Sequence, residues 1–462
     1  MNDNNPRLLT RDFILIMAAT IGTNFVTYFF FSTLPLFADM LTGTAAFIGY
    51  MSMAYSTTAL IIRPICGILV DKRGRVNILN LGSAVCVISC LLCSITPGLS
   101  IVNLTVALSL LIGIRVLNGV GMSLNMTSAG AAVADIVPKE RLAEGIGIYG
   151  ISMTIGQALG PLIALSIVAN GELSNFNTLF YVSAAFCGFS LLNGCFIRFE
   201  RDASRRAAPQ NSKRDSRDPE LRYGEQLLIP EVTPTIVSPI PGRGKREWEG
   251  IDASSETKHG ESSEEGEDKA FFGFDRNVLS PAIVLVLYFF GISGVLIYLT
   301  LFGRTRGFPV DHIGWFFFAS AAGIIIARLL FGKIVDKRGP DIIVIPGILI
   351  VAFCLFSIPL MPSLPVLIFL GLPYGIANGA VSPNIQATMF KRCSPKRRGT
   401  VSAAFAMAVD IGFTVGAPVL GWVADLAGFI WVYRLSAASV VAALLVFIFL
   451  VSDKRYIRRN QC

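Results

Sequence analysis

Arg115 stands deep in a long apolar run, with Asn118, Met122 and Asn125 following at i+3, i+7 and i+10, so one helical stripe carries a cation, two amides and a thioether. A guanidinium at such a depth is costly unless something answers its charge, and the chemistry open to it is attraction of an anion or a carboxylate. Asp410 is the carboxylate well inside an apolar run of the C-terminal half, where it can change protonation state as its surroundings change. Asp39, at the end of the first run, is a further ionisable candidate for proton coupling. Asn24 and Tyr28, then Tyr288 and Tyr298, then Tyr374 and Asn378 add amides and phenols within other runs. Such groups hydrogen-bond a solute or a neighbouring helix equally well. Covalent catalysis has no visible basis: there is no Gly-x4-Gly-Lys-Ser/Thr phosphate loop and no placed Ser/His/Asp set. His259 and His312 are the only histidines, and the nine cysteines show no metal spacing; Cys86, Cys90 and Cys93 read as small buried apolar residues. The expectation is a protein that is not an enzyme and needs neither metal nor cofactor.

The elements that must position these groups follow from composition. Of 462 residues, 53% are apolar and only 15% charged, against about 25% charged in ordinary globular chains. The apolar residues gather into twelve runs, at about 13–38, 45–70, 77–97, 101–130, 142–169, 178–198, 279–303, 311–335, 341–361, 365–390, 399–427 and 430–452. Each is long enough to cross a hydrocarbon core of roughly 30 Å as a helix. A soluble enzyme, a disordered hub and a nucleic-acid binder are excluded. The net charge of +8 does not restore nucleic acid as a partner, because the cations lie in short turns between the runs. Lys72, Arg73 and Arg75, Lys139 and Arg141, Lys337 and Arg338, and Lys391 to Arg398 follow runs 2, 4, 8 and 10. Alternate loops are nearly free of them, so both termini are expected in the cytoplasm of a bacterial plasma membrane. The polar start at 1–12 leads straight into a full-length run, which reads as an uncleaved anchor.

Residues 199–278 break the pattern, with a basic front (Arg201, Arg205, Arg206, Lys213, Arg214) and an acidic tail (Glu261, Glu264, Glu265, Glu267, Asp268). The expected organisation is an N-terminal bundle over 1–198, a largely disordered cytoplasmic linker over 199–278 whose basic front contacts anionic lipid, and a C-terminal bundle over 279–462.

The two halves repeat each other. Run 2 ends in Arg63-x3-Gly67-x3-Asp71-Lys72-Arg73-Gly74-Arg75, and run 8 ends in Arg328-x3-Gly332-x3-Asp336-Lys337-Arg338-Gly339. Gly156-x3-Gly160-Pro161 in run 5 matches Gly412-x3-Gly416-Ala-Pro418 in run 11, and the basic turns at Pro138 and Pro395 correspond as well. Two homologous halves around a midplane cavity suit a transporter in which one half tilts against the other.

The duplicated G-x3-D-K-R-G loop resembles the signature loop of the major facilitator superfamily. Arg115-x3-Gly119-x-Gly121 is similar to the second motif of its proton-coupled exporters, and Gly156-Gln-Ala-Leu-Gly160-Pro161 to part of a span-5 antiporter motif. Leu162, Ile163 and Ala164 follow Pro161 where that motif continues with a glycine pair. The resemblance implies an all-α polytopic fold of twelve transmembrane helices in two pseudosymmetric six-helix bundles. It also implies a cytoplasmic gate in which Asp71 faces the start of run 11 near Gly399–Val401, Arg73, Arg75 and Asp135 complete a charge network, and Asp336 and Arg338 mirror it. Gly67 and Gly74 are expected to let backbones approach closely there.

These readings converge on a monomeric secondary transporter that exports a small amphipathic molecule (drug-like compound, sugar or secreted metabolite) in exchange for protons. An anionic cargo facing Arg115, nutrient uptake by a symporter or facilitator, a lipid flippase and a non-transporting receptor or scaffold are the alternatives.

Overall fold

Inside a bilayer each backbone N–H needs an acceptor within the protein, so apolar runs of this length have one low-energy form, the helix. The computed structural model describes residues 9–138, 141–169, 172–199, 276–338, 341–392 and 398–451, with the backbone alone for Asp71 and for 142–144, 276–277, 329, 331–338 and 398–400. Among the described residues, twelve helices are long and apolar enough to cross a membrane. In the first half they are α1 (Arg11–Thr42), α2 (Ala45–Arg73), α3 (Arg75–Cys93), α4 (Leu104–Ile136), α5 (Leu142–Ile167) and α6 (Leu173–Cys195). In the second they are α7 (Arg276–Thr305), α8 (Val310–Arg338), α9 (Asp341–Ser357), α10 (Leu364–Lys391), α11 (Arg398–Ala427) and α12 (Phe429–Val446). A short helix, Thr96–Val102, extends α3. No strand occurs among the described residues. Most of the expected linker, residues 200–275, lies outside them, and so do Gly339, the surroundings of Gly332 and the side chains of Asp71, Asp336 and Arg338.

Helix ends follow local chemistry. The Thr10 side chain accepts from Phe13 N and opens α1, and Asn103 accepts from Val106 N and opens α4. Gly43, at φ +64°, closes α1, and Gly74, at φ +89°, joins α2 to α3 in a conformation that a side chain would strain. Gly74 thus serves the turn itself, whereas an added Cβ at Gly67 meets no described atom within 4 Å.

The pairing of helices repeats with a shift of six. Helix α1 packs on α5 and α6, α2 on α4, and α3 on α4 and α6; correspondingly α7 packs on α11 and α12, α8 on α10, and α9 on α10 and α12. The repeated motif glycines lie in the first of these contacts. A Cβ on Gly156 would stand 2.7 Å from the Asn24 side chain and one on Gly160 2.8 Å from that of Tyr28. At the equivalent places, Gly412 abuts Phe289 and Gly416 abuts Ser293 and Phe290. Pro161 and Pro418 lie inside α5 and α11, just beyond these contacts. The halves meet along α2 with α11, along α5 with α8, which is the same pair under the repeat, and along α1 with α7. All twelve helices belong to one compact unit.

Candidate functional site

A cavity of about 290 Å³ lies between the halves. Tyr28 and Phe31 of α1, Phe289 of α7 and Phe413 of α11 supply aromatic walls. Gln157 of α5, Asn378 of α10 and Arg328 of α8 supply polar groups. Phe31 stacks on Phe413 across the halves at 6.1 Å, Phe413 touches Phe289 at 5.8 Å, and Phe31 meets Tyr55 edge-on at 5.8 Å. Two phenols hold the amides. Tyr28 donates to Gln157 Oε1 at 3.5 Å, and Tyr288 donates to Asn378 Oδ1 at 2.9 Å.

Near the middle of α2 and α11 a bidentate ion pair bridges the halves. Arg63 Nε lies 2.8 Å from Asp410 Oδ2, and Arg63 Nη2 donates to Asp410 Oδ1 at 3.1 Å. The Asp410 side chain is only 9% exposed, so its charge rests on Arg63 rather than on water. Arg115 is buried without a carboxylate partner among the described residues: its guanidinium lies over the Tyr55 ring at 4.6 Å and donates to Asn118 Oδ1 at 3.4 Å.

One end of the bundle is latched. Asp425, near the end of α11, accepts from Ala45 N at 2.7 Å and Ala46 N at 2.8 Å and so caps α2 from the opposite half. Thr44, at the N-cap of α2, makes no side-chain cap of its own. Beside it Trp422 donates to the Tyr50 hydroxyl at 2.9 Å, Arg304 pairs with Asp39 at 3.4 Å, and Tyr298 donates to Ala417 O at 2.6 Å. Gly49 makes this approach possible, since a Cβ there would stand 2.6 Å from Pro418 Cα.

Several residues chosen from the sequence take other places. The α4 stripe faces α1, α2 and α3 rather than the cavity. Asn125 donates to Ser83 at 2.8 Å and accepts from Thr23 at 3.0 Å, Asn118 donates to Ser89 at 3.4 Å, and Met122 sulfur accepts from Thr27 at 3.5 Å. Asn24 donates to Thr20 O at 2.9 Å against Gly156. Tyr298 belongs to the latch, as does Asp39, and Tyr374 is buried against Phe316. Tyr288 is buried behind the cavity wall, where it donates to Asn378 and meets Phe289 edge-on. Arg75 and Asp135 form a 2.7 Å pair that ties α3 to α4. Sequence reasoning missed Phe31, Phe289, Phe413, Gln157 and the Asp425 latch, because nothing along the chain signals that positions 45 and 425 are neighbours.

The sequence profile described as Major Facilitator Superfamily matches residues 15–310 and 270–461. The chain belongs to the major facilitator superfamily. A staphylopine export protein of Staphylococcus aureus is 22% identical over 89% of this chain and 89% of its own length. A multi-drug resistance efflux pump of Streptococcus pneumoniae is 30% identical over 38% of this chain and 43% of its own. Among solved structures, a D-xylose-proton symporter superposes with a TM-score of 0.66 at 17% identity, over 95% of this chain and 97% of that one. The protein is thus a twelve-span membrane transporter of this superfamily.

Proposed function

We propose that this transporter exports a small amphipathic molecule across a bacterial plasma membrane in exchange for protons, working as a monomer by alternating access. The Arg63–Asp410 pair carries the reading, because it is a titratable bridge between the two halves beside an aromatic cavity. With its proton, Asp410 no longer holds Arg63, and the α2–α11 contact is loosened at mid-depth; this is the form in which the emptied carrier returns. The bundle end bearing the basic turns faces the cytoplasm, so the Asp425 latch closes the protein to the outside and the cavity loads from within. The six-helix bundles of 1–198 and 279–462 move against each other, with 199–278 as their cytoplasmic connection. The Asp71 and Asp336 loops close the inner side in the alternate state. Export as the direction is supported by the efflux and export proteins among the relatives.

Proton flux in acidified inside-out vesicles, followed with a pH-gradient dye, tests this. A compound from a panel of lipophilic cations, sugars and organic acids is expected to raise luminal pH through the wild type and not through Asp410→Asn. Further acidification by a compound that enters would mean co-transport and would overturn the exchange.

A further inference from the structure

We propose that the central cavity recognises its cargo through a carboxylate, gripped by Arg328, on a compact aromatic or alicyclic body. This deepens the transport reading and rests on it for the purpose of the cavity, but not for direction or proton coupling. Arg328 is the one charged group lining the cavity among the described residues, and no described carboxylate lies within ion-pair reach of it. Its guanidinium rests against Gly150 of α5, where an added Cβ would stand 2.9 Å from Nη1. The other interior cations are engaged, Arg63 by Asp410 and Arg115 by Asn118 and the Tyr55 ring.

The amides carry the same bias. Tyr28 and Tyr288 donate to Gln157 Oε1 and Asn378 Oδ1, so each amide keeps two N–H donors against one remaining oxygen lone pair, a balance that favours donation to a guest. A cavity with a cation on its wall and spare donors suits a head rich in acceptors, and a carboxylate matches the guanidinium fork in two bonds. The rings of Phe31, Phe289 and Phe413 leave a flat apolar body the remaining space. A volume of about 290 Å³ is at the small end of ligand pockets and favours one or two rings.

The test is equilibrium binding by calorimetry to the detergent-purified full chain, with 1-naphthylacetate, its neutral amide and 1-naphthylmethylamine as matched probes. Wild type is expected to bind the acid roughly tenfold to a hundredfold more tightly than the amide, the range of a charge-assisted pair. Arg328→Gln should bring the acid down to the amide and leave the amide unchanged, while Arg328→Lys should keep part of the preference. Should Arg328→Gln not purify as a monodisperse protein, Gly150→Ala gives a second route, since its methyl displaces only the flexible end of Arg328 and should also weaken the acid. Amide or amine binding as tight as the acid, or no binding of any probe up to about 10 mM, would overturn the proposal. A preference that persists in Arg328→Gln would do the same. No gradient is present in this measurement, so failure of proton exchange would leave the acid preference intact, and exchange with a neutral cargo would leave it absent.

Discussion

Removing the Asp425 carboxylate should shift the protein towards the state open at the latched end. Both carboxylate oxygens accept from the first N–H groups of α2, at 2.7 and 2.8 Å, and Thr44 supplies no replacement. Loss of an N-cap costs about 0.5–2 kcal/mol, and loss of a negative charge from the positive end of the helix about 0.3–1 kcal/mol. Asp425 is exposed, which argues for the lower part of both ranges. The capping contact exists only while α2 and α11 are together, so the loss falls on the latched state alone. A net 1–2 kcal/mol is a roughly fivefold to thirtyfold rise in the ratio of unlatched to latched protein. The Arg304–Asp39 pair nearby is partly solvated and should be worth less than about 1 kcal/mol. Single-molecule energy transfer reads the ratio, with dyes on Val102→Cys and Leu360→Cys in a background in which Cys195, Cys393 and Cys462 are replaced by Ser. Both label sites are more than half exposed, at 84% and 61%, and each lies at the latched end of its own half. Asp425→Ala should enlarge the long-distance population by that factor, and Asp425→Asn, which keeps an acceptor, by less. An unchanged distribution for Asp425→Ala would refute the latch.

Four further outcomes follow from the same geometry. Gly49→Val places bulk where a Cβ already comes within 2.6 Å of Pro418 Cα, and should favour the long-distance state in the same dye assay more strongly than Asp425→Ala does. Gly156→Ala pushes α5 away from Asn24, and should destabilise the purified protein by about 1–3 kcal/mol, seen as a lower melting midpoint. Asp410→Asn takes the anion from the bidentate pair that joins α2 to α11, and should enlarge the long-distance population in the same dye assay, roughly fivefold or more. Arg115→Lys keeps the charge but loses the planar contact with Tyr55, and should lower the melting midpoint without altering the preference of the cavity for acid over amide.

The fold was legible because the bilayer leaves so few choices. Runs of apolar residues have to be helices, and the repeated Arg-x3-Gly-x3-Asp-Lys-Arg-Gly loops announced two equivalent halves that the shift of six in helix pairing matches. Helix α1 runs beyond its apolar window at both ends, because polar residues such as the cap Thr10 and the last-turn Thr42 carry no hydropathy signal. The site was only half legible. A charge inside a span is conspicuous, and both Arg115 and Asp410 stood out for that reason. Their partners did not, since Arg63 and Asp410 are 347 residues apart in the chain. The α4 stripe shows a second limit. Periodicity finds a polar face, but a face turned to Ser83 and Thr23 on neighbouring helices has the same spacing as one turned to water. Phe31, Phe289 and Phe413 were hidden among 33 phenylalanines that composition alone cannot divide between lipid and cavity.

The central claim is that Asp410 links proton movement to the change of access. The most direct measurement compares two modes in proteoliposomes for the compound that the vesicle screen identifies: exchange of labelled for unlabelled cargo with no pH gradient, and uphill accumulation driven by one. Asp410→Asn, fixed in the neutral form, is predicted to keep the exchange and lose the accumulation. Accumulation by Asp410→Asn at the wild-type level would contradict the account.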